Sequence, residues 1–597
     1  MARLRVIDDE ALERPFDKQQ FLRLLAYLKP YKWKMLFSLL LMVVSAVASL
    51  MIPMLMAKSI NNCIETGDMR FFPLYIGGMV VMSALGAICL RFRVKIMDRL
   101  GRRAIAQLRQ DLFDHIQGLS FSFFDSRSAG KIMVRVINDV NSLVNLFTDG
   151  IINVLIDCFN IVIILALLFS INVKITLIGM CVLPFILFLM LKLKRVIRHN
   201  WQRVRLKTST MNGYLHESLA GMRVTESFVR EEENLGIFSE TNEDIKQSWM
   251  KAIKVNSIFW PSLDMFSIIS TVLVYIFGVK FMQTEGLLVG DLILIINYLG
   301  RFWDPLNSLS QFYNNLLAAM ASLERIYEIM DTPADVKSID DAKDLPPIKG
   351  EVTFDHVSFS YDPEKEILHD VNFVIKPGQT IALVGPTGAG KSTVVNLISR
   401  FYDTTAGRVL IDGHDVKEVE LNSMRRQMGV MMQDSFIFSG TIIDNIRYGR
   451  LDATDEEVIE AAKHVHAHDF IMAMEKGYYT EVNERGSRLS VGQRQLISFA
   501  RALLNDPKIL ILDEATSSID TKTEKIIQSA LEKLLVGRTS FVIAHRLSTI
   551  RKADCIFVIE GGNVKEAGTH EELVALGGSY AELVEAQYRF LYSKKTA

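Results

Sequence analysis

The amino-acid sequence predicts an all-α transmembrane domain of six spans with long cytoplasmic helical extensions, followed by an α/β domain of the P-loop type with a helical subdomain. Three observations carry this prediction. Apolar residues are concentrated in the first half, in stretches of about twenty residues, the length that crosses about 30 Å of hydrocarbon. From Gly350 the pattern changes to strand-like alternation, Glu351-Val-Thr-Phe-Asp-His-Val-Ser-Phe-Ser-Tyr361. A short buried-strand run, Thr380 to Val384, then leads into Gly385-Pro-Thr-Gly-Ala-Gly-Lys-Ser-Thr393 and a helical stretch.

The chain has 597 residues, too many for one core. Lys plus Arg total 67 against 68 Asp plus Glu, a balance that argues for no nucleic-acid partner. A mean hydropathy of +0.21 is high for a soluble enzyme and points to a lipid bilayer. The five cysteines form no CxxC pair, so neither a zinc site nor a disulfide framework is supported. The charged N-terminus lacks the apolar core of a signal peptide.

Residues 1–33 read as an N-terminal cytoplasmic segment. Within it Phe16 to Leu28 is amphipathic, with Phe21, Leu24, Leu25 and Leu28 on one face, which suits an elbow helix lying in the membrane interface. The membrane domain follows over 34–330, with spans near 35–57, 71–90, 150–171, 174–193, 257–279 and 287–308. Lys and Arg crowd the N-terminal flank and the connections after spans two and four, and the loops after spans three and five carry little beyond Lys174 and Lys280. The N-terminus, both long connections and the second half of the chain are therefore expected in the cytoplasm. The stretches near 121–140, with Phe123, Asp125, Arg135 and Asp139, and near 211–232, with Gly221, Val224 and Phe228, read by themselves as charged solvated helix, and beside the second half of the chain they resemble coupling regions.

Charges at membrane depth are costly and mark function or pairing. Asp157, Asp264, Arg301 and Asp304 interrupt spans three, five and six, each about 20 Å from the outer end of its span at about 1.5 Å per residue. They suggest a polar belt on a substrate cavity, whose acidic surplus favours a cationic substrate. The competing reading is structural pairing, for instance Arg301 with Asp304 one helical turn apart.

Residues 331–349 are polar, proline-bearing and aperiodic, and read as a linker to a domain over 350–590 with a tail at 591–597. In the loop Gly385 to Thr393, Gly385, Gly388 and Gly390 let backbone N–H groups converge on phosphates beside Thr387, with Thr393 behind them. Lys391 supplies charge to the terminal phosphates, and the Ser392 hydroxyl can ligate Mg²⁺. A second buried strand, Lys508 to Leu512, ends in Asp513 and Glu514. Asp513 suits a magnesium role, and Glu514 sits where a carboxylate orients or deprotonates the attacking water.

Between these lies Leu489-Ser-Val-Gly-Gln493. With the P-loop, the Asp-Glu pair and this pentapeptide in order, nearly the whole chain resembles an ABC half-transporter of the exporter type. The resemblance implies ATP and Mg²⁺ as cofactors. It also implies that Tyr361 stacks on adenine, that Gln433 is the Q-loop glutamine contacting Mg²⁺, that Asp520 belongs to the D-loop, and that His545 is the switch histidine. Ser490, Gly492 and Gln493 would close over ATP held by the opposite domain. Thr480 to Gly486 resembles the exporter X-loop with Asn483 in place of a glycine, and Asn tolerates a left-handed turn there.

Val491 stands where the family has glycine, and a β-branched residue restricts backbone freedom and close approach. An off-pattern signature beside an intact Glu514 favours a heterodimer with a different half-transporter over a homodimer. The implied function is ATP-driven export of a drug, lipid or peptide across a bacterial plasma membrane by alternating access. The alternative is an ATP-gated channel or regulatory membrane ATPase on the same scaffold.

Overall fold

The computed structural model describes residues 17–593 apart from 145, 340, 433–434, 484–485, 514–520 and 545–546. The chain divides into two compact units: Met1–Gln117 with Gly130–Thr332, and Gly118–Ala129 with Pro333–Ala597.

The first unit is helical. Its long elements are Lys32–Ser59, Phe72–Gln117, Ile151–Ile171, Val173–Met180 continued by Leu183–Ala220, Glu231–Glu285 and Val289–Met330. The 46 residues of Phe72–Gln117 and 55 of Glu231–Glu285 exceed twice the span of the hydrocarbon layer, so these helices run well beyond it. Among the described residues four helices are long and apolar enough to cross a membrane: Lys29–Ile64, Met69–Gln117, Asn153–Ile171 and Asp264–Glu285. The other two expected spans depart from the simple pattern for identifiable reasons. The fourth is interrupted by a turn at Cys181–Val182, and its continuation starts with Pro184 in the first helical turn, where a missing N–H costs no intrahelical bond. The sixth carries Asp291, Arg301 and Asp304 in its first half.

The elbow helix Lys18–Ala26 is capped by Asp17, which accepts from the backbone N–H groups of Gln19 and Gln20. Its apolar face is not spent on the lipid interface, as amphipathicity alone suggests. Leu24 and Leu28 are buried against protein. Arg23 forms a bidentate pair with Asp331 at 2.8 and 2.9 Å and lies 4.1 Å from the Tyr327 ring centroid. Tyr27 donates to Asp111 at 3.0 Å. The face that repeats every three to four residues needed an apolar partner, and the end of the sixth helix supplies it.

At the other end of the sixth helix, Asn61 sits in the π-helical turn Ile60–Ile64. Its Oδ1 accepts from the Gly290 N–H at 2.7 Å and its Nδ2 donates to Asp291 at 3.1 Å, capping the helix start. A Cβ at position 290 would collide with the Ala57 carbonyl and the Asn61 amide, so the close approach requires glycine. Further along the sixth helix, Asp139 is buried and accepts from Arg325, Arg135 and Ser322, tying the segment Arg135–Asp139 to that helix.

Among the described residues the second unit holds three sheets. A six-stranded sheet runs in the order Asn563–Gly568, Cys555–Glu560, Thr380–Val384, Thr539–Ile543, Ile509–Asp513, Met428–Met431. All neighbours in it are parallel except the Asn563–Gly568 edge. Near-continuous apolar runs such as Ile509–Leu512 fit strands covered on both faces. A four-stranded antiparallel sheet is built on Val352–Asp362 and Lys365–Ile375, and a two-stranded one pairs Gly440–Thr441 with Glu481–Val482. The helices Ile442–Arg447, Asp455–His464 and Val491–Leu504 pack through Ile443, Ile446, Val458, Leu496 and Ile497 into a helical subdomain.

The stretch read as a linker is ordered onto this unit. Val336, Leu345 and Ile348 are buried, and the Gln427 side chain bonds the backbone of Leu345, Pro346 and Ile348. Composition signals the lack of periodicity but not this strap-like packing. The stretch 121–140 is divided between units: Phe121–Ser126 packs with the second, whereas Arg135–Asp139 belongs to the first. Within 211–232 a short helix, Met222–Ser227, lies between two long ones.

Candidate functional site

Strand Thr380–Val384 delivers the loop 385–390, and the helix Lys391–Ile398 starts directly after it. Gly385, Gly388 and Gly390 have φ of +146°, +83° and +105°, a region that L side chains rarely adopt. A Cβ at Gly385 would strike the Ile559 carbonyl. Lys391 is buried, and its Nζ donates to the carbonyls of Gly385 and Pro386, both at 2.9 Å. Burial pulls its ammonium below the ordinary value, with Asp513 opposing. Ser392, one residue on, is exposed at the helix start, while Thr393 is buried. The loop therefore offers backbone donors, a helix N-terminus, an ammonium and a free-facing hydroxyl to an anion.

The parallel register sets the rest of the site. Strands Thr380–Val384, Thr539–Ile543, Ile509–Asp513 and Met428–Met431 lie side by side and end at one edge of the sheet, the edge where parallel α/β sheets bind ligands. Asp513 closes the third of these strands. Gln433, Glu514, Asp520 and His545 follow three of the same strands in sequence, and these four residues lie outside the described ones.

Tyr361 is half-exposed, and its hydroxyl lies 3.2 Å from the Thr393 hydroxyl and accepts from Asn396 at 3.3 Å. Its ring meets Phe359 and Tyr402 edge-on at 4.7 and 4.9 Å. Sequence reading missed Tyr402, which belongs to no motif. It donates to Asp125 at 2.6 Å, and Phe121 stacks on Phe401 at 5.1 Å. Burial and the Asp125 hydrogen bond push the Tyr402 phenol up. The short helix Phe121–Ser126 is thus joined to the residue beside Tyr361.

Ser490 is the N-cap of helix Val491–Leu504 and forms a capping box with Gln493: the Ser490 hydroxyl accepts from the Gln493 N–H at 3.2 Å, and the Ser490 N–H donates to the Gln493 side chain at 2.9 Å. Gly492 is buried, and a Cβ there would lie 2.5 Å from the Thr523 methyl. Val491 is the first helical residue, 45% exposed and without positive φ. Loss of backbone freedom is therefore not its effect. What it adds is an isopropyl group on the surface of a helix N-terminus.

The expected left-handed Asn483 is corrected in the same way. Asn483 has no positive φ; Gly486, at φ +61°, carries the turn and donates its N–H to the Asn483 carbonyl at 2.8 Å. Glycine is needed where the chain reverses, three residues after the place a motif comparison draws attention to.

In the membrane unit, Asp157, Arg301 and Asp304 line one cavity of about 550 Å³ between spans one, two, three and six. Asp264 does not line it and is exposed. Its helix, Glu231–Glu285, packs on Val173–Met180, Leu183–Ala220 and Val289–Met330, but none of its residues lines the cavity. Arg301 is not paired with Asp304: it donates to the Ser49 carbonyl at 2.9 Å and hydroxyl at 2.8 Å, with no carboxylate in ion-pair range among the described residues. Arg93, counted in the sequence only as a cytoplasmic-side charge, also lines the cavity and donates to Asn153 at 3.3 Å. Among the described lining residues two carboxylates therefore face two guanidinium groups, with no acidic surplus.

Comparison with known proteins fits both halves. Residues 35–306 match the family described as ABC transporter transmembrane region, and residues 368–517 match the family described as ABC transporter. The chain is 47% identical to "Uncharacterized ABC transporter ATP-binding protein YknV" of Bacillus subtilis (strain 168), over 97% of this chain and 96% of that one. It is 36% identical to a Staphylococcus aureus (strain NCTC 8325 / PS 47) protein named "Putative multidrug export ATP-binding/permease protein", over 95% of this chain and 99% of that one. Among solved structures, a bacterial Atm1-family ABC exporter with ATP bound matches with a TM-score of 0.75 and 28% identity, covering 93% of this chain and 98% of that one.

Proposed function

This chain belongs to the ABC transporter family, as an exporter-type half-transporter with its membrane domain fused to its ATPase domain, and from that premise we propose that it exports an amphipathic or lipophilic substrate across the plasma membrane as one half of a dimer. The ATPase domain binds ATP and couples its hydrolysis to transport. In our reading Tyr361 stacks on the adenine, and the loop 385–390 with Lys391 cradles the phosphates. The exposed Ser392 hydroxyl and Asp513 fit Mg²⁺, which when bound adds positive charge beside the terminal phosphates. Glu514 orients the attacking water, and His545 and Gln433 complete the pocket from neighbouring strand ends.

The observation that carries the reading is the convergence of four parallel strand ends on one edge beside the glycine loop. A dimer is supported by surfaces that one chain leaves open. Leu219, Val224, Phe228 and Val229 around the helix Met222–Ser227 are strongly exposed, and Val229 is held at φ +51°, costly for a β-branched residue. On the ATPase unit, Met432, Phe436, Ser498 and Arg501 line a groove of about 250 Å³, and the buried Ser498 hydroxyl lacks a hydrogen-bond partner among the described residues. We assign these as the two sides of contact with the second half-transporter. The Val491 isopropyl group, set where ATP of the opposite domain would approach, favours a different chain as that partner.

The multidrug name of the Staphylococcus relative supports a lipophilic drug-like substrate over the lipid and peptide alternatives. Basic residues flanking the spans support a cytoplasmic N-terminus and ATPase domain. Glu514→Gln tests the assignment: ATP binding is retained and steady-state hydrolysis falls by at least about a hundredfold, on the order of an essential water-orienting group. Unchanged hydrolysis would remove Glu514 from its role.

A further inference from the structure

We propose that the intramembrane cavity binds amphiphiles whose polar head carries a positive and a negative charge together. This inference rests on the export reading and names its substrate class. The cavity is formed by one chain, with Asp157 and Asp304 facing it alongside Arg93 and Arg301. A wall of carboxylates alone would select cations, and a wall of guanidinium groups alone would select anions. Two of each, in one space of about 550 Å³, match a head group that bears both.

Arg301 is held apart from the carboxylates rather than cancelled by them. Arg301 is fixed by the Ser49 carbonyl and hydroxyl on the first span, and it has no carboxylate in ion-pair range among the described residues. A guanidinium has five N–H donors and Ser49 engages one nitrogen, so donors remain for an anionic group. Asp157 lies within electrostatic reach of both Arg93 and Asp304. Two neighbouring carboxylates repel one another unless a cation comes between them. Leu50 and Ile164 line the same space and provide the apolar wall that a short alkyl chain requires.

The test compares three six-carbon probes that differ only in head group: hexylphosphocholine, hexyltrimethylammonium and hexyl phosphate. Each is titrated by calorimetry into the purified full chain in dodecyl maltoside, an uncharged detergent. Hexylphosphocholine is expected to bind at least tenfold more tightly than either singly charged probe. Arg301→Gln should abolish its advantage over the cation, Asp304→Asn should abolish its advantage over the anion, and Arg301→Lys should keep most of the preference. ATP binding at the P-loop serves as the check that each variant is folded. Equal affinity for all three probes, or substitutions that weaken all three alike, would overturn the inference. Free phosphocholine binding as tightly as its hexyl form would overturn the amphiphile requirement. Because these are equilibrium measurements without turnover, failure here leaves the export reading standing. That reading fails separately, if Glu514→Gln leaves hydrolysis unchanged.

Discussion

Asp139→Asn removes the charge at the centre of an ionic cluster in the membrane unit. Oδ1 accepts from Arg325 Nη2 at 2.5 Å and Ser322 Oγ at 3.1 Å, and Oδ2 accepts from Arg325 Nε and Arg135 Nη1, both at 3.0 Å. Asparagine keeps one acceptor oxygen and turns an NH₂ donor toward a guanidinium, so at least one guanidinium bond is lost whichever way it lies. Charge-assisted bonds contribute about 1.5–3 kcal/mol each, and breaking a buried pair costs about 3–5 kcal/mol. The Asp139 side chain is only 8% exposed, but Arg325 and Arg135 are 26% and 30% exposed and water can recover part of their loss. We expect a destabilisation of about 2–3 kcal/mol, read as a fall of several degrees in the unfolding midpoint of the detergent-solubilised chain.

The pH dependence fixes the sign. Burial raises the Asp139 pKa, but Arg325 and Arg135 outweigh it and hold the carboxyl below its ordinary value of 3.8. Its stabilisation is therefore complete above the unfolded-state pKa and is lost as pH falls through the depressed folded-state value. The gap between wild type and Asp139→Asn should be constant from neutral pH down to about 4 and close below it. A midpoint unchanged at pH 7, or a gap that widens in acid, would refute the account of this cluster.

Three further predictions follow from the contacts described. Tyr402→Phe keeps the ring against Tyr361 but loses the bond to Asp125, so ATP affinity should stay within about twofold while substrate stimulation of hydrolysis falls, as expected for a net hydrogen bond of about 1 kcal/mol; a large rise in the Kd for ATP would mean that Tyr402 acts on the nucleotide instead. Asn61→Ala unclasps the first span from the start of the sixth and should raise basal hydrolysis relative to substrate-stimulated hydrolysis; an unchanged ratio would reduce the clasp to a static cap. Val491→Gly should alter stability by about 1 kcal/mol or less, because the site is an exposed first helical position, yet raise ATP turnover of the chain expressed alone; no change in turnover would dispose of the isopropyl group as an obstacle to closure.

The ATP-binding loop was readable in the sequence because its requirements are local. A strand, a run of positive-φ glycines and a helix start occupy consecutive residues, and each residue type has a steric or electrostatic reason there. Tyr402 was not readable, because its partners Asp125 and Tyr361 lie 277 and 41 positions away in the chain. Arg93 was read as a topology signal, since net charge near a span end says nothing about which way the side chain faces. The elbow helix shows the same limit: spacing identified its apolar face, but not whether lipid or protein covers it. Asn483 and Val491 were weighed as conformational problems on family pattern, and both sit in ordinary backbone because neighbouring residues carry the geometry.

ATP-dependent accumulation of a substrate in inside-out vesicles carrying the full chain with its partner half tests the central claim of ATP-driven export most directly. The account predicts uptake against a gradient with wild-type protein, and none with Lys391→Ala or Glu514→Gln, although Glu514→Gln still binds ATP. Passive equilibration that ATP opens but does not drive uphill, or equal accumulation by all three proteins, would contradict it.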